Sequence, residues 1–279
     1  MARILAVGIA TLDIINTVAS YPAEDQEVRA LSQRRVRGGN ATNTLVVLSQ
    51  LGHACSWAGV LPQEPDAERL TADLDRHGVD YSQISRPGKG KLPTSYIAVS
   101  ASSGSRTIVH FRDCPEYEFE AFDRLNLSEY DWIHFEGRNI PSLEKMLKKT
   151  RLAGIPCSLE VEKPRKQIEA LFSLPDVLIC SRAYVRDKGY TNATGFIQQQ
   201  SFGRVIVPWG AKGVWYGDSS AQINQIAAPA VSVVDSLGAG DVFNAGLIHG
   251  LVQQHSLPVA LQDAVNLASA QCTKEGLVL

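Results

Sequence analysis

Gly238-Ala239-Gly240-Asp241 puts a carboxylate directly behind two glycines, at the start of a stretch where Phe243, Leu247, Ile248 and Leu251 recur at helical spacing. The pattern predicts a β-branched buried strand over 231–235, then a tight turn, then a helix. The first N–H groups of a helix have no intrahelical acceptor, and glycine lets an anion approach them closely. Such a turn can hold a phosphate. Asp241 would repel that phosphate unless it has work there, and the work open to a carboxylate is to take a proton from a hydroxyl attacking phosphorus. A plainer reading has Asp235 and Asp241 simply capping a helix after a turn. Spacing alone leaves both open.

A second cluster lies near the other end of the chain. Arg37-Gly-Gly39-Asn40-Ala-Thr-Asn43 opens a helical pattern that runs to Leu51. Asn40 and Asn43 sit one turn apart on the same side. Their amides each donate and accept, which suits a polyhydroxylated ligand. Asn40 alone could be an N-cap, but Asn43 inside a helix needs another reason. Asp13 interrupts the apolar run 11–15, either as a polar position on an exposed strand or as a ligand group at a strand end. Glu136 and Arg138 follow the strand-like 131–135, where the ligand site of an α/β sheet lies. Trp209-Gly210-Ala-Lys-Gly213 also follows a strand, and is either an ordinary turn or a loop against phosphate. Neither a Gly-x-x-x-x-Gly-Lys-Ser/Thr loop nor a third glycine after Gly240 is present, so Walker and dinucleotide fingerprints are excluded.

The elements needed to position these groups alternate. Strand-like runs at 4–8, 56–60, 131–135, 158–161, 177–180 and 205–208 are separated by helical patterns at 40–51, 66–77 and 142–152. This alternation predicts an α/β fold with a doubly wound, mostly parallel sheet. The segment 27–37 is strand-like but strongly charged, unsuited to the core of such a sheet. Together with the hairpin pattern 93–111 it predicts a small β-sheet lid. The expected organisation is a main domain of residues 1–11, 38–91 and 113–279, with the lid in two pieces, 12–37 and 92–112.

With 279 residues, 44% hydrophobic and 20% charged, the chain can bury a sizeable core. A net charge of −2 provides no basic field for nucleic acid or an anionic membrane surface. Five scattered cysteines without a Cys-x-x-Cys pair read as reduced thiols in a cytoplasmic protein. No apolar run approaches the roughly 20 residues of a membrane span.

Asp235-Ser-Leu-Gly-Ala-Gly-Asp241 resembles the signature of the ribokinase-like carbohydrate kinases, usually Asp-Thr-x-Gly-Ala-Gly-Asp, with Ser236 keeping the hydroxyl. That resemblance implies an ATP-dependent sugar kinase using Mg²⁺. Asp241 would be the base, with Gly238, Ala239 and Gly240 as the anion hole. The sugar would be held by Asp13, Gly39, Asn40 and Asn43, with Glu136 and Arg138 nearby. Trp209, Gly210, Gly213 and Asp235 would flank the nucleotide. Longer segments (21–29, 106–109, 132–139 and 160–165) resemble the ketohexose-phosphorylating branch of the family, implying fructose phosphorylated at O1. On that likeness Arg106 approaches the nucleotide phosphates, and Asp25 reaches the neighbouring site of a homodimer joined through the lid.

There are departures. The family's Asn-x-x-Glu element near magnesium is replaced by Ser181-Arg-Ala-Tyr184, leaving Glu160 and Glu162 as metal ligands or as plain solvated charges. Only three residues follow Gly276, which leaves a monovalent cation site open. Kinases for another sugar, a sugar phosphate or a nucleoside remain alternatives, as does a non-catalytic sugar- or nucleotide-binding regulator. A sugar phosphate would need a second cationic cluster near Asn40, for which Arg34, Arg35 and Arg37 are candidates.

Overall fold

Short runs apolar on both faces are what a parallel sheet covered by helices requires. In the computed structural model, which describes residues 1–200, 203–217 and 222–277, they form the centre of the molecule. Along the chain come β1 (Arg3–Val7), β2 (Thr11–Val18), β3 (Ser32–Gly38), α1 (Asn40–Gln50), β4 (Ala54–Ala58), α2 (Pro65–Arg76), β5 (Val79–Asp80), β6 (Lys91–Ser100) and β7 (Arg106–Asp113). There follow α3 (Phe119–Phe122), β8 (Trp132–Glu136), α4 (Ile140–Leu152), β9 (Cys157–Val161), β10 (Val177–Cys180), α5 (Arg182–Asp187) and α6 (Ala193–Gln198). The last elements are β11 (Arg204–Pro208), β12 (Val214–Gly217), β13 (Ile223–Ile226), α7 (Ala239–Val252) and α8 (Leu257–Gln271).

The large sheet has nine strands in the order β13-β12-β11-β10-β9-β8-β1-β4-β5. Its pairs are parallel except β11–β12 and β12–β13. Alternate residues feed two cores: Ile4 and Ala6 pack with α1, α7 and α8, whereas Leu5 and Val7 pack with α4 on the opposite face. This is the doubly wound α/β fold expected from the alternation. Strand order reverses between β1 and β8, and a crevice opens beyond their carboxyl ends at such a point.

The small sheet runs β3-β2-β6-β7, with β2–β6 parallel and the two outer pairs antiparallel. Asp13 faces Ser95, and Ser95 faces His110, so charged strand and hairpin join in one sheet as expected. Its first charged strand is shorter than expected: residues 27–31 are irregular and β3 begins at Ser32.

The strand expected over 231–235 does not form. Val233 and Val234 are 63% and 66% exposed. The N–H groups of Val234 and Asp235 donate to the carbonyl of Cys272, at the end of α8, rather than to a neighbouring strand. The valine run is therefore an extended connection tied to a helix end, and β13 stands at the sheet's edge. No helix among the described residues is long and apolar enough to cross a membrane.

Candidate active site

Gly238 is the N-cap of α7, with φ of 77°. That left-handed conformation costs an L-residue free energy but glycine little. A Cβ there would also press on Leu277, 2.8 Å from its Cδ2. The turn aims the start of α7 into a cleft of about 1030 Å³ lined by Gly238, Ala239, Gly240 and Asp241. Of the amides expected to be free, that of Ala239 leans on the Ser236 carbonyl at 3.4 Å. Those of Gly240 and Asp241 lie in the first turn, without an intrahelical acceptor.

Opposite, Gly39 is the N-cap of α1 with φ of 100°, and a Cβ there would run into the Ile9 carbonyl. Asn40 is thus the first helical residue and makes no cap hydrogen bond, which removes the capping explanation for it. Instead its Nδ2 donates to Glu160 Oε2 at 3.2 Å and to Glu162 Oε2 at 3.4 Å. Asn43, one turn later, donates from Nδ2 to Asp241 Oδ2 at 2.7 Å, across 198 residues of sequence. Two motifs from opposite ends of the chain therefore meet in one hydrogen bond.

Asp13, on β2, lines the same cleft and accepts from Thr11 Oγ1 at 2.8 Å. Burial raises its pKa, while the hydrogen bonds from Thr11 and Ser95 and the charge of Arg37 pull the other way. Glu136 ends β8 and ties the site's walls together. Its Oε1 accepts from the Ala41 N–H at 2.6 Å and its Oε2 from the Ile9 N–H at 3.2 Å. Arg138 grips Glu116 with a two-pronged contact, Nε and Nη2 at 3.1 and 3.0 Å from its oxygens.

The carboxylates crowd together, and the electrostatics follow from that. Burial pushes the Asp241 pKa up to about 8, with Glu136 and Glu162 pushing the same way and Asn43 and Arg37 opposing. Burial likewise pushes Glu136 up to about 7. Glu160 is raised well above the ordinary value by burial and then by Asp241, Glu136 and Glu162. A poised carboxyl of this kind suits a general base working near neutral pH.

Among the described residues, no three His, Cys, Asp or Glu side chains are arranged to hold a metal by themselves. Glu160 and Glu162 do offer hard oxygen donors beside Asn40. Such a pair fits Mg²⁺, which keeps several waters and shares its remaining ligands with phosphates.

Other expected residues take different places. Arg106, on β7, reaches the motif loop and donates to the Ser236 carbonyl at 3.2 Å. Asp235 works as a turn former, its Oδ1 accepting from the Leu237 N–H at 2.9 Å and its Oδ2 meeting Arg34 at 3.3 Å. Gly210 lines the cleft; Trp209 and Gly213 are not among its lining residues. Trp209 is buried edge-to-face against Trp215, and a Cβ on Gly213 would strike the Ile226 carbonyl. Asp25 lies in an exposed turn of residues 19–31, outside the cleft lining. Glu116 and His110 went unnoticed in the sequence, since nothing local marks them; His110 lines the cleft beside Asp13.

The whole chain, residues 1–279, matches the profile described as pfkB family carbohydrate kinase. The chain belongs to the pfkB family of carbohydrate kinases. A mouse ketohexokinase is 36% identical, the match covering 98% of this chain and 97% of that protein. Among solved structures, a ribokinase of Arabidopsis thaliana in complex with ribose and ATP superposes with a TM-score of 0.80 at 20% identity, covering 99% and 94% of the two chains. A ribokinase of Thermotoga maritima gives a TM-score of 0.81 at 21% identity, with 99% and 95% covered. At those identities the structures carry the fold alone. A pfkB carbohydrate kinase transfers a phosphoryl group from ATP to a sugar, and this one has the doubly wound fold of that family.

Proposed function

We propose that this kinase phosphorylates a ketohexose, with fructose O1 as the acceptor, and that Asp241 is the base. The observation that carries the reading is the contact of the Asn43 amide with the Asp241 carboxylate, at 2.7 Å. It brings the polar wall formed by α1 to the start of α7, beside Asp13 in one cleft. The likeness to mouse ketohexokinase supports the ketohexose.

The sugar lies between Asp13, Gly39, Asn40 and Asn43, and the ATP phosphates lie over the amides of Gly238 to Gly240. The O1 oxygen bonds to the γ-phosphorus as the bond from that phosphorus to the β–γ bridging oxygen breaks, releasing ADP. The hydroxyl proton passes to the Asp241 carboxylate. Glu160 and Glu162 would hold Mg²⁺, which when bound neutralises phosphate charge. Arg106 supplies a further positive charge at the phosphate end. The small sheet acts as a lid, since Arg34 and Arg106 already bridge it to the motif loop at Asp235 and Ser236. A closed lid keeps water from competing for the phosphoryl group. Two lids would join in a homodimer, with Asp25 entering the partner's site, and the enzyme would work in the cytoplasm.

A sugar-phosphate acceptor is disfavoured by the pairing of the cations that would bind it. Arg34 is held by Asp235 and Glu275, Arg35 by Asp66 and Arg37 by Asp73. The test is ADP release with fructose, ribose, adenosine and fructose phosphates in turn. Fructose should give the highest kcat/KM. A preference for adenosine or a sugar phosphate would overturn the substrate assignment, and no turnover with any acceptor would favour a binding protein.

A further inference from the structure

Arg37 is a charged side chain buried where nothing in the local sequence calls for one. It is next to last on β3, and its side chain is 3% exposed. Taking a guanidinium out of water costs several kcal/mol unless its donors are met. Here Nε and Nη1 are met in a particular way. Nε donates to Asp73 Oδ2 on α2 at 2.7 Å, and Nη1 donates to Asn43 Oδ1 at 2.6 Å and to Thr42 Oγ1 at 3.3 Å.

A guanidinium has donors and no acceptor. The Asn43 amide must therefore turn its oxygen to Arg37, which leaves its nitrogen for Asp241. Without Arg37 only the Asp241 carboxylate would still orient the amide, and the Asn43 side chain would lose the second hold that fixes its position. Among the described residues no hydrogen bond engages Asp241 Oδ1, so Asn43 holds the carboxylate by Oδ2 alone.

We propose that Arg37 is a positioning residue for phosphoryl transfer: anchored by Asp73, it orients the Asn43 amide, which holds the Asp241 carboxylate in the pose that accepts the sugar proton. The inference rests on the kinase reading with Asp241 as base. Arg37 lines the cleft but makes no hydrogen bond to Asp241 among the described residues, and its contacts reach that carboxylate through Asn43.

The test is steady-state kinetics on Arg37→Met, Arg37→Lys, Asp73→Asn, Asn43→Ala, Asp241→Asn and the Arg37→Met/Asn43→Ala double variant. Circular dichroism melts serve to check folding. Misplacing a reacting group by about 1 Å can cost about 100-fold in rate. Arg37→Met should accordingly lose about 10- to 100-fold in kcat. KM for ATP should change by no more than about threefold, and KM for sugar should rise no further than it does in Asn43→Ala, because Asn43 also faces the sugar. Arg37→Lys, which reaches one partner but not both, should fall between wild type and Arg37→Met. Asp73→Asn keeps the packing and should lower kcat in the same direction by less. The double variant should be no slower than Asn43→Ala, because both changes break one chain of contacts.

Independent, multiplicative losses in the double variant would overturn the proposal. So would a defect confined to KM, or wild-type kcat in Arg37→Met while Asp241→Asn is inactive. Normal turnover by Asp241→Asn would instead remove the base assignment itself, and the positioning role with it.

Discussion

Asp241 must be ionised to accept a proton, and its surroundings hold the proton on. Burial pushes its pKa up to about 8. With sugar and MgATP both well below saturation, the apparent third-order rate constant reports ionisation of the ligand-free enzyme. Below pH 8 the ionised fraction falls about tenfold per unit, to about 1% at pH 6. The rate should therefore rise about 100-fold from pH 6 to a plateau near pH 9. The assay is discontinuous measurement of sugar phosphate formed, which avoids coupling enzymes with pH profiles of their own. Asp241→Asn should lack this limb as well as most of its rate. A wild-type profile flat from pH 6 to 9, with substrate affinities unchanged, would refute the reasoning.

The same protonation predicts how stability varies with pH. Asp241 and Glu136 have folded pKa values of about 8 and about 7, against ordinary values of 3.8 and 4.5. The folded state holds protons that the unfolded chain has released, so this contribution is complete below the ordinary values and is lost as pH rises through the folded ones. The ligand-free protein should melt at a lower temperature at pH 8.5 than at pH 6.5, and Asp241→Asn should lessen the drop; an equal or rising Tm would contradict this. Asp241→Asn should also lose about 10²–10⁴-fold in kcat while calorimetry still detects sugar binding. Gly39→Ala combines a φ of 100° with a clash against the Ile9 carbonyl. Its expected cost is about 2 kcal/mol or more in denaturant unfolding, and wild-type stability would show that the turn relaxes.

The parts of the site legible in the sequence were those set by local chemistry. Gly238 to Asp241 read as a turn into a helix because glycine spacing and a helical apolar pattern agree. Asn43 stood out because an amide inside a helix lacks a local purpose, and it meets Asp241. Strand alternation likewise gave the doubly wound sheet. The valines at 231–234 misled, since β-branched residues favour a strand but cannot announce whether a neighbour exists to pair with them. Their amides turn to Cys272 instead. Glu136 was legible as a residue at a strand end, yet its two backbone partners, Ile9 and Ala41, come from distant segments. The Arg37–Asp73 pair spans 36 residues and two elements, and no periodicity encodes it. Long-range polar pairing depends on how elements pack, which the hydrophobic pattern constrains only coarsely.

The most direct measurement is a crystal structure with fructose and a non-hydrolysable ATP analogue bound together. The account predicts O1 within about 2.6–3.2 Å of an Asp241 carboxylate oxygen, the terminal phosphate against the amides at the start of α7, and Asp13 and Asn40 on the remaining hydroxyls. A sugar seated with its hydroxyls away from Asp241, or phosphates bound elsewhere than that helix start, would contradict it.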